Sequence, residues 1–146
     1  PRTGRNTLSF CRLKGRITAY AYGTQNIFAK ILRGEIPNRT VLETDHTLAF
    51  DDIYPQAPVH VLVIPKGPYV CADHFALEAS EAEIVDFWRS VGRICAEKGL
   101  QPGMGGQGYR TISNAGEVAV QEVPHYHLHI LSGRPLGPML MRPRSS

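Results

Sequence analysis

Three histidines recur at every second position in the run His125-Tyr126-His127-Leu128-His129-Ile130-Leu131. Side chains alternate between faces along an extended segment. This spacing therefore predicts three imidazoles on one face of a strand, with Tyr126, Leu128 and Ile130 packed into a core on the other. A neutral imidazole can ligate a metal, move a proton or attack phosphorus. For metal binding the row alone is a poor fit: neighbouring histidines lie roughly 6.6 Å apart at Cα, and the outer pair about 13 Å. A single ion held at ~2.0–2.1 Å from each nitrogen cannot collect all three from a flat strand. It would need a distant further ligand, for which His60, His46, Cys71 and Asp51 are candidates. A structural row of bonded, buried histidines suits one ring better than three, because each must be kept neutral or paired. As a nucleophilic site the row is well supplied. One ring attacks phosphorus while its neighbours hold phosphate oxygens, move protons and fix the tautomer, and phosphoryl chemistry needs chiefly positioning and charge stabilisation.

The elements that must position this row follow from periodicity. Ile27, Phe28, Ile31 and Leu32 recur at helical spacing between a Thr24 cap and Gly34, which predicts a short helix over Thr24 to Arg33. Short β-like runs follow at Thr40–Glu43, Thr47–Asp51 and His60–Ile64; the third, nearly all apolar, reads as a central strand covered on both faces. Between the second and third, Asp52-Ile53-Tyr54-Pro55-Gln56-Ala57-Pro58 is a stiff, irregular loop. A long helix is predicted from Glu81 to Lys98, with Ser80 and Glu83 as a capping box and Ile84, Trp88, Val91, Ile94 and Cys95 as its buried stripe. Gln101 to Gly108 is a glycine-rich loop lacking the GxxxxGK[ST] and GxGxxG phosphate signatures. Tyr109–Ser113 and Val123–Leu131 read as the last two strands, before an irregular tail. The fold class is α+β: a mostly antiparallel sheet of about five strands with one short and one long helix packed on it.

A chain of 146 residues fits one domain, and 42% hydrophobic with 20% charged residues is ordinary for a globular protein. No apolar run approaches the ~18–20 residues that span a bilayer, so no membrane partner is expected. The net charge of +3 is too small to argue for nucleic acid as the main partner. The basic residues crowd the start: Arg2, Arg5, Arg12, Lys14, Arg16, Lys30 and Arg33 precede the first acid, Glu35. Residues 1–23 are read as a basic, mostly disordered extension, or alternatively an organelle transit segment, and 24–146 as the folded domain. Cys11, Cys71 and Cys95 form neither a disulfide framework nor a zinc knuckle and fit a reducing, cytoplasmic compartment.

The run His-φ-His-φ-His-φ-φ, with φ apolar, is joined by other segments in order: Asn26-Ile27-Phe28, Gly34-Glu35-Ile36-Pro37, Leu48-Ala49-Phe50, Asp52-Ile53, Pro55-Gln56-Ala57-Pro58, His60, Val63-Ile64-Pro65-Lys66 and Asn114. On these, over about residues 25–137, the chain resembles the histidine triad nucleotide-binding family, in its purine nucleoside phosphoramidase branch. The resemblance implies a homodimer whose shared surface is the long helix and the strand near Tyr109–Ser113. It also implies purine nucleotide conjugates as substrates and neither cofactor nor metal. His127 matches the nucleophile, His125 and His129 the flanking members that contact phosphate, and His60 a fourth histidine behind the triad. Asp52 matches the carboxylate that binds ribose, and Asn114 and Gln121 match residues of the nucleotide site. Ile27, Phe28, Ile31, Ile36, Phe50 and Ile53 match an apolar purine pocket.

Three positions and the tail depart from that pattern. Glu122 stands in place of a phosphate-contacting serine, and on a strand it would face away from the triad. Val120 replaces a glycine, Pro68 replaces a further histidine, and the tail lacks a tryptophan. The implied activity is hydrolysis of purine nucleoside 5′-phosphoramidates through a nucleotidyl-His127 intermediate. The alternatives are hydrolysis of dinucleoside polyphosphates, an adaptor that binds nucleotides, and a zinc-binding module.

Overall fold

The structure, a computed structural model, describes residues 20–143. Five strands form one antiparallel sheet: β1 (Thr40–Glu43), β2 (Thr47–Asp51), β3 (Val59–Pro65), β4 (Arg110–Ile112) and β5 (Leu128–Ser132), in the spatial order β1-β2-β3-β5-β4. The helices are α1 (Ile27–Leu32), α2 (Ala72–Glu78) and α3 (Glu81–Glu97), with one 3-10 turn at Pro102–Met104. The α+β class and the antiparallel sheet agree with the sequence reading.

The central strand β3 shows why the sheet is covered twice. Val61 and Val63 point into a core built with Leu42, Ala49, Phe75, Phe87, Val91 and Ile94, beneath α2 and α3. Leu62 and Ile64 point the other way, into a smaller core with Phe28, Ile31, Leu48 and Phe50, beneath α1. A run apolar at every position is what such burial selects. His60 sits on the second face, and β5 brings His129 opposite Leu62 on that face.

Several boundaries differ from the sequence reading. Helix α1 is capped by Asn26, whose side chain accepts from the Ala29 N–H, and not by Thr24. Helix α2 was not expected; of its seven residues only His74 and Phe75 are buried, while Leu77 is exposed, so no apolar period betrays it. On α3 the capping box forms as expected, but Phe87 is the fully buried aromatic and Trp88 is 50% exposed. Val85, Trp88 and, beside β4, Tyr109 thus leave apolar surface in solvent.

The last strand begins only at Leu128. Pro124 has no N–H to donate, and the Tyr126 N–H goes to the Tyr69 carbonyl instead of a sheet neighbour. His125 and His127 therefore precede the strand, although the alternation persists through them. Tyr126 still stacks on Phe75 and Phe87, while His125 and His127 pack edge-on against Phe28. Residues 20–23, read as part of a disordered extension, pack against the domain; residues 1–19 and Cys11 lie outside the described residues. No helix among the described residues is long and apolar enough to cross a membrane.

Candidate functional site

Two cavities meet on the α1 side of the sheet. One, of about 320 Å³, is lined by His127, His129, Asn114, Gln56 and the loop Ala119–Val123. The other, of about 330 Å³, is lined by Ile27, Phe28, Ile31, Ile36, Phe50, Ile53 and Tyr54. Phe28, Asp52, Leu62, Glu122 and Val123 border both. A polar chamber thus opens beside an apolar one, with Asp52 at the seam. Phe28 and Phe50 form an edge-to-face floor, whereas Ile27 and Ile53, at 43% and 70% exposure, form the rim. Another cavity, beside Arg110 and Arg134, holds no histidine, and both guanidinium groups donate to backbone carbonyls.

The hydrogen bonds assign the ring protons of the four histidines gathered here. A carbonyl only accepts, so His127 donates from Nδ1–H to the carbonyl oxygen of His125 at 2.7 Å. In the neutral ring this leaves Nε2 bare, with its lone pair available. His125 donates from Nε2–H to the Pro65 carbonyl at 2.8 Å, so its Nδ1 accepts from the Tyr22 hydroxyl. On the other side of the chamber, the Gln56 N–H donates to His60 Nδ1 at 3.0 Å. The His60 proton therefore sits on Nε2 and is donated to His129 Nδ1 at 2.9 Å, with Asp52 Oδ2 at 3.4 Å. His129 then carries its own proton on Nε2. The rings of His127 and His129, 5.1 Å apart, offer one cavity a lone pair and a donor respectively.

Burial keeps these rings neutral. Desolvation pushes His125 down to about 4, against the opposing bond to Pro65. It does the same to His129, also to about 4, with the neighbouring His127 and His60 adding repulsion. His127 and His60 are lowered too, by burial first, with Asp52 partly opposing.

Asp52, His60 and His129 could hold a metal, since their ligand atoms lie within 4.8 Å of one another. The geometry suits a proton better. Two nitrogens 2.9 Å apart are at hydrogen-bonding distance, closer than two ligands of one tetrahedral zinc, which sit about 3.3 Å apart at ~2.0–2.1 Å from the ion. Of the other metal candidates named from sequence, His46, Cys71 and Asp51 are not part of this cluster.

The structure thus gathers His127, His129, His60, Asp52, Asn114 and the apolar residues at one place. His125 is different: fully buried, both ring nitrogens taken by protein groups, it does not line either cavity. Gln121 lines the chamber, but its amide pins the loop, bonding the Val70 and Val123 carbonyls and the Gly116 N–H. Glu122 borders the chamber: it lies in a loop ahead of the last strand, where the alternation that would turn it from the triad does not hold. Val120 holds a φ of 56°, a left-handed conformation that a β-branched residue rarely adopts and a glycine takes freely. Gln56, whose N–H sets the tautomer of His60, and Tyr22, whose hydroxyl meets the His125 nitrogen that the Pro65 carbonyl leaves bare, were missed: a backbone donor leaves no sequence signal, and Tyr22 lies 103 residues from its partner.

Neutral burial makes stability depend on pH. The His125 ring has an ordinary value of 6.5 when unfolded and about 4 when folded, so between these values the unfolded chain binds more protons. Its penalty is absent above 6.5, grows as pH falls through the window, and is constant below about 4. Urea unfolding should show stability dropping by on the order of 2 kcal/mol for this ring between pH 7 and 5, above the carboxylate range. A flat profile over that window would contradict the neutral burial.

The sequence and fold have close relatives. Residues 33–136 match the HIT domain family. An uncharacterised 13.2 kDa HIT-like protein of Azospirillum brasilense is 54% identical over 124 residues, covering 85% of this chain and 98% of its own. The purine nucleoside phosphoramidase of Escherichia coli K12 is 41% identical over 119 residues, covering 80% and 93%. Among solved structures, a histidine triad protein from Clostridium difficile superposes with a TM-score of 0.70 at 38% identity, over 82% of this chain and all of that one. A histidine triad nucleotide-binding protein from Candida albicans gives 0.69 at 29% identity, covering 84% and 87%. With the family match spanning most of the described residues, and the three imidazoles gathered on one side of the sheet, this chain belongs to the HIT domain family.

Proposed function

We propose that this chain hydrolyses purine nucleoside 5′-phosphoramidates through a nucleotidyl-His127 intermediate. One observation carries the reading: His127 commits its Nδ1–H to a buried carbonyl, so the bare Nε2 belongs to a ring lining a chamber that adjoins a base-sized apolar pocket. The purine enters between Phe28, Phe50, Ile36 and the rim isoleucines, and Asp52 at the seam accepts from the ribose hydroxyls. The α-phosphorus then lies in the chamber beside His127, with Asn114 on the same wall.

The steps balance as follows. The negative charge of a bound phosphate offsets the desolvation of a cationic ring, so His129 takes one proton from solvent at Nδ1 while the His60 Nε2–H turns to Asp52 Oδ2. The His127 Nε2 lone pair forms a bond to phosphorus while the P–N bond breaks. Its electron pair goes to nitrogen, which takes a proton from His129 Nε2, and a neutral amine departs. The His127 ring, now bonded at Nε2 and protonated at Nδ1, is positively charged, and the His125 carbonyl steadies that charge. Water then attacks phosphorus, giving a proton to His129 Nε2; the P–Nε2 bond breaks, nucleoside monophosphate leaves with the resting His127 restored, and the pair returns to solvent the proton it took at the start. Every step uses side chains, so chelating agents are expected to leave turnover intact. The 2.9 Å hydrogen bond between His60 and His129, too short for two ligands of one zinc, and the E. coli relative's activity support this reading over a zinc-binding module.

Substituting His127 with Asn is expected to lower the release of adenosine monophosphate from an adenosine phosphoramidate by about 10⁴-fold or more. An adenylylated protein should accumulate on wild type in a rapid alkaline quench, which preserves the P–N bond to histidine, and be absent from the variant. Turnover retained within tenfold would remove the mechanism.

Glu122 bears on the choice between amines and polyphosphates as leaving groups. Its exposed carboxylate borders the chamber, has no ion pair among the described residues, and adds to the charge of Asp52. A polyphosphate leaving group meets that charge and an amine does not. With Glu122→Gln, the kcat/KM for a diadenosine polyphosphate should rise about fivefold relative to that for the phosphoramidate, as expected for one partly screened charge pair. An unchanged ratio would show that Glu122 is turned away from the leaving group.

A further inference from the structure

The residues ahead of α1 form a strap that reaches the triad from outside the domain. Tyr20 stacks on His74 of α2, ring centroids 4.9 Å apart, and its hydroxyl bonds Asp73. The Gly23 carbonyl accepts from the Asn26 side chain at 2.9 Å, and the Thr24 carbonyl from Arg33 at 2.7 Å. Between these anchors Tyr22 lies edge-on to His125, centroids 5.5 Å apart, with its hydroxyl on His125 Nδ1 at 2.5 Å.

That contact has a chemical consequence. His125 is fully buried, and its one proton can sit on either nitrogen. The Pro65 carbonyl accepts only, which draws the proton to Nε2; Nδ1 is then a bare acceptor in a dry site, which is costly unless a donor meets it. Tyr22 is that donor. A ring locked at both nitrogens cannot swing, and the same residue's backbone carbonyl holds the Nδ1–H of His127. Part of the segment expected to stand apart from the folded domain thus supports the site.

We propose that Tyr22 is a positioning residue for the reaction: by donating to His125 Nδ1 it fixes the His125 ring and, through the His125 carbonyl, the orientation and tautomer of His127. Tyr22 borders neither cavity, so it acts on the chemical step and not on nucleotide affinity. The proposal rests on the reading of His127 as nucleophile, but part of its test does not.

The test is Tyr22→Phe in the full chain, which keeps the ring and deletes the hydroxyl. With an adenosine phosphoramidate, kcat should fall about tenfold, the loss expected for one buried hydrogen bond acting through a neighbour, while KM stays within about twofold. In ¹⁵N spectra of histidine-labelled protein, the His125 Nδ1 resonance should lose its hydrogen-bonded position, and the His127 ring should show a mixture of tautomers. A kcat within twofold of wild type with both sets of ring signals unmoved would overturn the proposal. So would a rise in KM at constant kcat, which would make Tyr22 a packing or binding residue. Should wild type fail to cleave the phosphoramidate, the functional reading falls by itself, and the ring signals still decide whether Tyr22 sets the histidine tautomers.

Discussion

The hydrogen bond from His127 Nδ1–H to the carbonyl oxygen of His125 is the constraint on which the site depends. An imidazole has two nitrogens, and only the one without a proton can attack. Left to solvent, the ring would share its proton between them. A carbonyl two residues earlier in the chain removes the choice, and it can do so because the segment before β5 leaves the sheet. In a regular strand that carbonyl would point along the sheet toward a neighbouring strand. Here Pro124 breaks the ladder and Tyr126 turns its N–H to the Tyr69 carbonyl, which frees the local backbone to serve the side chains.

The rest of the fold follows from the need to bury this arrangement. Two cores on opposite faces of β3 hold the sheet rigid. His60 on β3 and His129 on β5 are held close enough to share a proton, and the tautomer of His60 is dictated in turn by the Gln56 N–H of the proline-rich loop. Arg134 ties the same loop by donating to the Gln56 carbonyl at 2.6 Å. Two tautomer-setting chains thus converge on one chamber from opposite sides, and they give His127 and His129 complementary roles. Dry surroundings keep all four rings neutral at pH 7 at the expense of stability in acid. Under the proposed mechanism, a neutral His127 gains from the same burial.

Much of this was legible in the sequence, for particular reasons. The alternation through 125–131 and the unbroken apolar run of β3 are direct imprints of side-chain geometry, and the capping box fixed the start of α3. Other features lay beyond reach. Trp88 fell on the helical stripe but at its margin, where Phe87 took the buried place. Glu122 was assigned to the wrong side because a two-residue period was extended past Pro124 into a loop. Helix α2 buries too little to show a period. The support of His125 by Tyr22 and of His60 by a backbone N–H joins groups that no local pattern relates, and only the folded chain brings them together.

The tautomer of His127 tests the account most directly, because it needs no substrate and no assumption about the reaction. In ¹⁵N-histidine-labelled protein at neutral pH, long-range proton–nitrogen correlation should show His127 with a protonated Nδ1 of pyrrole type and a bare Nε2 of pyridine type, in a single form. An His127 ring protonated at Nε2, or averaging between both forms, would contradict it, since no committed lone pair would then stand ready for phosphorus.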